Sequence, residues 1–131
     1  MLIYLDTVIV IYTIEGAPAF QARAIARLAA ANAAGDNVAT SDLTRLECLV
    51  QPLRNNNAVL QAEYLKFLDK TTVLPLTRAV YDRAAQIRAA HKYPIADALH
   101  LAAAMLGQCD RFLTNDSRLA SFHGISVEIL A

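Results

Sequence analysis

Short apolar runs rich in branched residues alternate along the chain with longer stretches of helical periodicity. The apolar runs predict five strands, which are Leu2–Leu5, Asn37–Thr40, Thr72–Leu76, Arg111–Thr114 and Ser126–Leu130. The remaining segments predict helices at Val8–Ile14, Pro18–Ala34, Ser41 or Asp42 to about Val50, Asn56–Leu68, Thr77–Ala90 and Ile95–Leu106. The pattern therefore alternates strand and helix from one end to the other.

Glycine and proline mark the expected helix ends. Gly35 and Gly107 are placed to stop two helices, and Pro52 is expected to break the helix that precedes it. Strands that alternate with helices pair in parallel through right-handed crossovers, and the strands are apolar enough to be covered on both faces. We expect a three-layer α/β/α domain with a five-stranded, mainly parallel sheet, occupying residues 1–131 as a single unit.

Composition adds an expectation about partners. Apolar residues make up 56% of the chain, charged residues 18%, and the mean hydropathy is +0.32. This exceeds what a domain of 131 residues needs for its own core, so a partner or a second copy is expected to cover part of the surface. Twelve basic residues balance twelve acidic ones, so any contact with nucleic acid must come from a local basic rim.

Cysteine usage and hydropathy favour the cytoplasm. Cys48 and Cys109 match no zinc or redox spacing and are expected to be free, small core residues in a reducing compartment. No basic-then-apolar leader is expected, since Asp6 interrupts the first apolar run. No apolar run is long enough to cross a bilayer.

Two carboxylates come directly after strands. Asp6 follows the first strand and Asp116 the fourth, so both lie at the carboxyl edge of a parallel sheet, where ligands bind. If these strands are neighbours, the two side chains face one crevice. The acids that precede strands lie at the opposite edge; they are Asp36, Asp69 and Asp110.

Two further carboxylates fall on helix faces expected to be buried. Glu47 shares a stripe with Leu43, Leu46 and Val50, and a carboxylate on a buried face is costly without a partner. Asp97 lies in the first turn of a helix whose other residues, apart from one histidine, are all apolar.

Three of these four acids also have a simpler interpretation. Asp6 and Asp116 could cap the short helical turns after them, and Asp97 could favour a positive helix start with His100 as its companion. Independent caps have no reason to converge on one sheet edge, however. Two carboxylates about 4 Å apart repel by roughly 4 kcal/mol at an effective dielectric near 20. All-oxygen ligation suits Mg²⁺ or Mn²⁺, so the four acids predict a hard divalent metal.

The acidic motifs resemble those of the PIN domain, specifically the VapC-type toxin nucleases of bacterial toxin–antitoxin pairs. The resemblance covers essentially the whole chain and is carried in order by Leu5–Thr7, Thr40–Glu47, Ile95–Ala103 and Leu113–Asp116. It departs at Val8, where many relatives have serine or asparagine.

The resemblance implies a metal-dependent ribonuclease. The quartet that holds Mg²⁺ or Mn²⁺ would be Asp6, Glu47, Asp97 and Asp116, with Thr114, Asn115 and Ser41 in support. Asp6 and Asp97 would be the most direct ligands, and Glu47 could orient the attacking water. A homodimer and a small antitoxin that blocks the active site are also implied. Arg45, Arg118 and Arg54 are candidates to steer the RNA backbone.

The remaining polar and aromatic residues are given structural roles. The three histidines, His91, His100 and His123, suggest no catalytic triad and are expected at the surface or in packing. Core or interface positions are expected for Tyr4, Tyr12, Phe20, Tyr64 and Phe67.

Three rival functions stay open at this point. The fold could carry a non-catalytic RNA- or protein-binding module, or a DNA-directed nuclease. A receiver-like signalling domain also uses strand-end aspartates with Mg²⁺, but it needs a late lysine, and the last one here is Lys92.

Overall fold

A computed structural model describes all 131 residues. Its five strands are β1 (Leu2–Leu5), β2 (Asn37–Ser41), β3 (Thr72–Leu74), β4 (Arg111–Thr114) and β5 (Val127–Ile129). Its six α-helices are α1 (Thr7–Glu15), α2 (Pro18–Ala33), α3 (Asp42–Arg54), α4 (Ala58–Leu68), α5 (Arg78–Ala90) and α6 (Ile95–Leu106). A short 3₁₀ turn, Ser117–Ser121, follows β4.

The strands form one parallel sheet in the order β3-β2-β1-β4-β5. The chain fills one half of the sheet and then crosses to the other, so the order reverses between β1 and β4. Tyr4 pairs with Phe112 and Leu5 with Leu113 across this junction. The strands that precede Asp6 and Asp116 are therefore neighbours, which is the condition for the two carboxylates to face one crevice.

Side-chain alternation along β1 and β4 builds a core on each face of the sheet. Tyr4 and Phe112 point to the face covered by α5 and α6, where their rings stack with centroids 5.5 Å apart. Leu5 and Leu113 point to the other face, covered by α1, α2, α3 and α4. The predicted three-layer α/β/α arrangement is confirmed, and every strand pair is parallel.

The edge strand β3 departs from the apolar, doubly covered pattern. Val73 is 50% exposed and Thr72 is also exposed, because no further strand or helix covers this edge. The strand ends at Leu74, two residues before the predicted end.

Helix α3 continues past Pro52, so the prediction that this proline breaks the helix is wrong. A proline inside a helix removes one backbone hydrogen bond. Here Pro52 is itself buried and the helix ends two residues later at Arg54, so little helix remains to be disrupted. The stop at Gly35 is confirmed, since its φ of +79° is a left-handed conformation that glycine adopts without strain.

None of the helices combines the length and apolar character needed to cross a membrane.

Candidate active site

A cleft of about 530 Å³ opens at the carboxyl edge of the sheet, where β1 and β4 end side by side. All four predicted acids line it, each from a different part of the chain: Asp6, Glu47, Asp97 and Asp116. Asp6 follows β1 and Asp116 follows β4, whereas the other two project from α3 and α6. The expected convergence of distant acids on one edge of the sheet is therefore present.

Asp6 is the most deeply fixed of these carboxylates, with 8% of its surface exposed. Its backbone N–H donates to Leu113 O at 2.9 Å, which continues the β1–β4 ladder and aligns the two strand ends. Its Oδ1 accepts the Thr7 backbone N–H, so Asp6 does cap α1. Its Oδ2 accepts the Thr114 hydroxyl at 2.7 Å. Capping and membership of the site are thus compatible roles of one side chain.

Thr114 joins Asp6 to Asp116. Its buried hydroxyl donates to Asp6 and accepts the backbone N–H of Asp116 at 3.1 Å. Asp116 in turn caps the 3₁₀ turn by accepting the backbone N–H of Arg118. One threonine therefore fixes the distance between the two strand-end acids.

The guanidinium of Arg118 lies between two of the acids. Its Nε is 3.0 and 3.1 Å from the two carboxylate oxygens of Asp116, and its Nη2 is 3.4 Å from Asp97 Oδ2. The hydrogen bond from Arg118 holds the pKa of Asp116 below its usual value. The arginine side chain is 62% exposed, so it can leave this position without disturbing the core.

Asp97 has the opposite electrostatic environment. Partial burial raises its pKa, and the charges of Asp6 and Asp116 raise it further, against the lowering effect of Arg118. Asp97 is in the first turn of α6, and the weak contact with Arg118 is its one side-chain partner. Negative charge is therefore in excess at this point of the cleft.

Glu47 reaches the cleft from α3, although the stripe used to predict its burial is wrong. The buried side of α3 consists of Thr44, Cys48 and Pro52, while Leu46 is 62% exposed. The small residues face the core because α1 and α4 pack closely there. Glu47 borders this buried side and is 31% exposed.

The carboxylate of Glu47 is held by two side chains from other elements. Its Oε1 accepts the Thr7 hydroxyl at 2.7 Å and His100 Nε2–H at 2.6 Å. Partial burial alone would raise the pKa of Glu47, but the hydrogen bonds from His100 and Thr7 outweigh it, so the pKa is lowered. Glu47 is thus kept as an ionised carboxylate.

His100 was missed as a site residue by the sequence interpretation, which gave it only a surface or packing role. It is 1% exposed and contacts Glu47, Thr7 and the Tyr4 hydroxyl. A signal was present, since His100 and Asp97 are the only polar residues of an otherwise apolar helix. Of the other histidines, His91 stacks on Tyr93.

The aromatic residues predicted at core or interface positions differ in their burial. Tyr4 and Tyr64 are buried as expected, but Phe20 is 37% exposed and stacks on Tyr12 with ring centroids 4.8 Å apart. Tyr12 lines the cleft, where its hydroxyl accepts the Asn115 amide at 3.1 Å.

The remaining predicted residues divide between the site and its surroundings. Asn115 lines the cleft and Ser41 is buried behind it, where its hydroxyl contacts the Tyr4 hydroxyl at 2.9 Å. Arg45 is exposed on α3 and does not line the cleft. Both cysteines are free, with Cys48 buried and Cys109 half-buried.

The donor set of the cleft fits a hard divalent cation in its chemistry. The acids provide carboxylate oxygens, the ligands that Mg²⁺ and Mn²⁺ prefer. In the present arrangement no three carboxylates, imidazoles or thiols stand close enough to enclose an ion. Instead Arg118 forms an ion pair with Asp116 and a longer one with Asp97. A cation could take over this neutralisation once Arg118 turns outward.

Comparison with known families identifies the class of this chain. The model of the PIN domain family matches residues 3–124. The match includes β2, β3 and β4, most of β1 and all four acids, and the chain belongs to the PIN domain family. No curated protein sequence matches the chain significantly.

Three solved structures show how widely this fold is shared. VapBC2 from Rickettsia felis, bound to a DNA fragment from its promoter, is similar with a TM-score of 0.83, 16% identity and 100% coverage of both chains. A toxin–antitoxin complex from Klebsiella pneumoniae has a TM-score of 0.79 and 21% identity, covering 98% of this chain and 97% of the other. DNA-bound VapBC from Salmonella typhimurium has a TM-score of 0.75, 21% identity and 100% coverage of both. At these identities the likeness establishes the fold.

Proposed function

We propose that this PIN domain is a metal-dependent endoribonuclease, the toxin of a bacterial toxin–antitoxin pair. One observation carries the proposal: carboxylates from four separate elements line a single cleft at the point where the strand order reverses. That edge is where open parallel sheets bind ligands. A cap or an ion pair explains each of the three aspartates alone, but not the common location of all four acids.

Asp6 and Asp97 would be the most direct ligands of the ion, and Glu47 and Asp116 would act on it through water or hold a second ion. A divalent ion bound there would supply the positive charge that acidifies water and stabilises the phosphate oxygens. Asp6 is already fixed by Thr114, and Asp97 has no strong protein partner to release. Asp6 would thus offer a ligand that is already held in place, and Asp97 one that has no strong protein hydrogen bond to lose when it binds the ion.

Glu47 would orient the attacking water and accept its proton. The carboxylate is ionised, one oxygen is fixed by two donors, and no protein donor contacts the other oxygen. Attack of the water oxygen on phosphorus would break the bond to the 3′ oxygen, which would leave as a 3′-hydroxyl after taking a proton from solvent water, and Glu47 would return the proton it had accepted to solvent. The other product carries a 5′-phosphate.

Arg118 is the favoured residue for contact with the RNA backbone. It is exposed at the rim of the cleft and, when released from Asp116, would present a planar donor to a phosphate. Arg45 and Arg54, which are both exposed on α3, remain secondary candidates. A local rim of this kind compensates for the absence of a net positive charge.

A cognate antitoxin and a homodimer are proposed as protein partners, in the cytoplasm. The solved structures of the same fold are described as toxin–antitoxin complexes, which supports the first. Exposed apolar side chains on α3 and α4 support a covered surface; they are Leu46 at 62%, Leu53 at 56% and Val59 at 72% exposure. Light scattering of the purified chain, alone and co-expressed with the product of the adjacent reading frame, tests both assemblies.

Purified protein incubated with mixed RNA and DNA, in Mg²⁺, Mn²⁺ or EDTA, tests the activity. Asp97→Asn is the inactivating variant, and Asp82→Asn, an exposed residue of α5, is the matched control. We expect metal-dependent cleavage of RNA by wild type and Asp82→Asn, and none by folded Asp97→Asn. Cleavage in EDTA, or undiminished cleavage by Asp97→Asn, would contradict the mechanism; cleavage of DNA alone would reassign the substrate.

A further inference from the structure

A continuous path of hydrogen bonds runs from the centre of the sheet to the wall of the cleft. The hydroxyls of Ser41 and Tyr4 are 2.9 Å apart, and Tyr4 Oη is 2.7 Å from His100 Nδ1. His100 Nε2–H then donates to Glu47 Oε1 at 2.6 Å. Residues from β1, β2, α3 and α6 are connected in this way.

The inner part of this path is completely enclosed. Tyr4 is 0% exposed, and Ser41 and His100 are each 1% exposed. Burying polar groups at such positions stabilises a fold only weakly, because water would bind them equally well in the unfolded chain. In α6, where every residue except Asp97 and His100 is apolar, leucine or phenylalanine could fill the space that His100 occupies. Packing alone therefore does not explain why these groups are polar.

The carboxylate of Glu47, at the end of the path, explains why these buried groups are polar. Glu47 has three rotatable side-chain bonds and projects from α3 at the margin of the cleft, where an unrestrained glutamate would sample many positions. Two donors, Thr7 and His100, fix the same oxygen, Oε1. The second oxygen, Oε2, has no protein donor and stays free for a water or a metal ion in the cleft.

His100 is itself held in a single orientation. Tyr4 contacts Nδ1 on one side of the ring, and Glu47 and Thr7 contact Nε2 on the other. Tyr4 in turn is fixed by stacking on Phe112 in the sheet. The orientation of the imidazole is therefore defined by the most rigid part of the molecule.

We propose that His100, oriented by Tyr4, is a positioning residue that fixes the Glu47 carboxylate for catalysis. The proposal rests on the nuclease function given above. In metal sites, partners that hydrogen-bond the ligands typically contribute 10- to 100-fold in metal affinity or activity. A comparable loss is expected here when the path is cut at His100, and a smaller one when it is cut at Tyr4.

The test combines four variants with three measurements. His100→Leu removes the donor and keeps an apolar volume, whereas His100→Gln keeps an N–H close to the position of Nε2. Tyr4→Phe removes only the hydroxyl. Tyr64→Phe is the matched control, because Tyr64 is 1% exposed and its hydroxyl donates to Glu15, a carboxylate outside the cleft. For each we would measure kcat and KM on RNA, the Mn²⁺ Kd by calorimetry, and stability in urea.

We expect His100→Leu to lower kcat about 10- to 100-fold with little change in KM, and to raise the Mn²⁺ Kd several-fold. His100→Gln should recover much of this loss although it is no better packed, and Tyr4→Phe should be intermediate. Tyr64→Phe should lose stability but keep both kcat and the Mn²⁺ Kd. A purely structural role would make leucine at least as good as glutamine.

Wild-type kcat and Mn²⁺ Kd in His100→Leu would overturn the proposal, as would an equal loss in Tyr64→Phe. These results leave the nuclease function intact, since the wild-type protein would still bind metal and cut RNA. Wild-type protein that binds no Mn²⁺ and cuts no RNA would instead refute the proposed function, and with it the role of His100.

Discussion

Replacement of Thr114 by valine removes the connection between the two strand-end acids. The Thr114 hydroxyl is fully buried, donates to Asp6 at 2.7 Å and accepts the Asp116 backbone N–H at 3.1 Å. Valine keeps the branched shape, so the change isolates the hydrogen bonds. Because the acceptor is a buried carboxylate, the loss should be about 1.5–3 kcal/mol in the free energy of unfolding. The metal-free protein should then unfold at a urea concentration lower by about 1 M.

The same substitution should weaken metal binding, because Asp6 loses the donor that orients its Oδ2. We expect the Mn²⁺ Kd, measured by calorimetry, to rise about 10- to 100-fold. Thr40→Val is the control, since Thr40 is also buried on a strand but pairs with Thr71, a neutral partner, at 2.7 Å. It should cost about 1 kcal/mol and leave the Mn²⁺ Kd unchanged. Equal effects of the two substitutions on stability and on metal affinity would refute this interpretation of Thr114.

Three further predictions follow from the charges and thiols. Arg118→Gln should tighten Mn²⁺ binding up to about fivefold, because the substitution removes the guanidinium that competes with the metal for Asp116. RNA binding should weaken at the same time. Looser Mn²⁺ binding in calorimetry would contradict this. Burial, with Asp6 and Asp116 nearby, raises the pKa of Asp97, so its ionisation destabilises the metal-free fold as pH rises through that pKa. Asp97→Asn should therefore have a higher free energy of unfolding than wild type at pH 7 in EDTA, as measured by urea titration. This difference in stability should disappear below about pH 4. A difference that does not change between these pH values would contradict the prediction. Burial raises the pKa of Cys48 to about 12 and that of Cys109 to about 11, so both thiols should react with Ellman's reagent at pH 7.5 much more slowly in the folded than in the unfolded protein. Equal rates in the two states would contradict this.

The sheet and the strand-end acids are predictable from the sequence because both depend on chain order. A carboxylate that directly follows an apolar strand must lie at the carboxyl edge, so the locations of Asp6 and Asp116 follow from counting residues. Their adjacency also requires β1 and β4 to be neighbours, and the sequence leaves this open, because the crossover rule fixes the hand of a connection and not which strands pair. The structure shows that β1 and β4 do pair.

The side of α3 that is buried could not be predicted from chain order. Helical periodicity identifies a stripe of leucines, Leu43, Leu46 and Val50, but small residues pack more closely against α1 and α4 than leucines could. Tertiary packing therefore turned Thr44 and Cys48 inward and left Leu46 exposed. Glu47 borders the buried side of α3 and lines the cleft, so its location does not depend on the leucine stripe from which its burial is predicted.

The contact between Tyr4 and His100 cannot be predicted from the sequence, for a different reason. The two residues are 96 positions apart and meet between β1 and α6, on the same face of the sheet, through one rotamer of each side chain. A polar residue in an apolar helix signals a buried partner, but neither the partner nor the direction can be deduced without the fold.

Crystals of the protein in saturating Mn²⁺ provide the most direct measurement, through the anomalous scattering of the ion. We expect a peak within the cleft, bonded to carboxylate oxygens of Asp6 and Asp97, with Arg118 turned away from Asp116. An empty cleft under these conditions, with Arg118 still paired to Asp116, would contradict the claim that these acids converge in order to hold a metal ion.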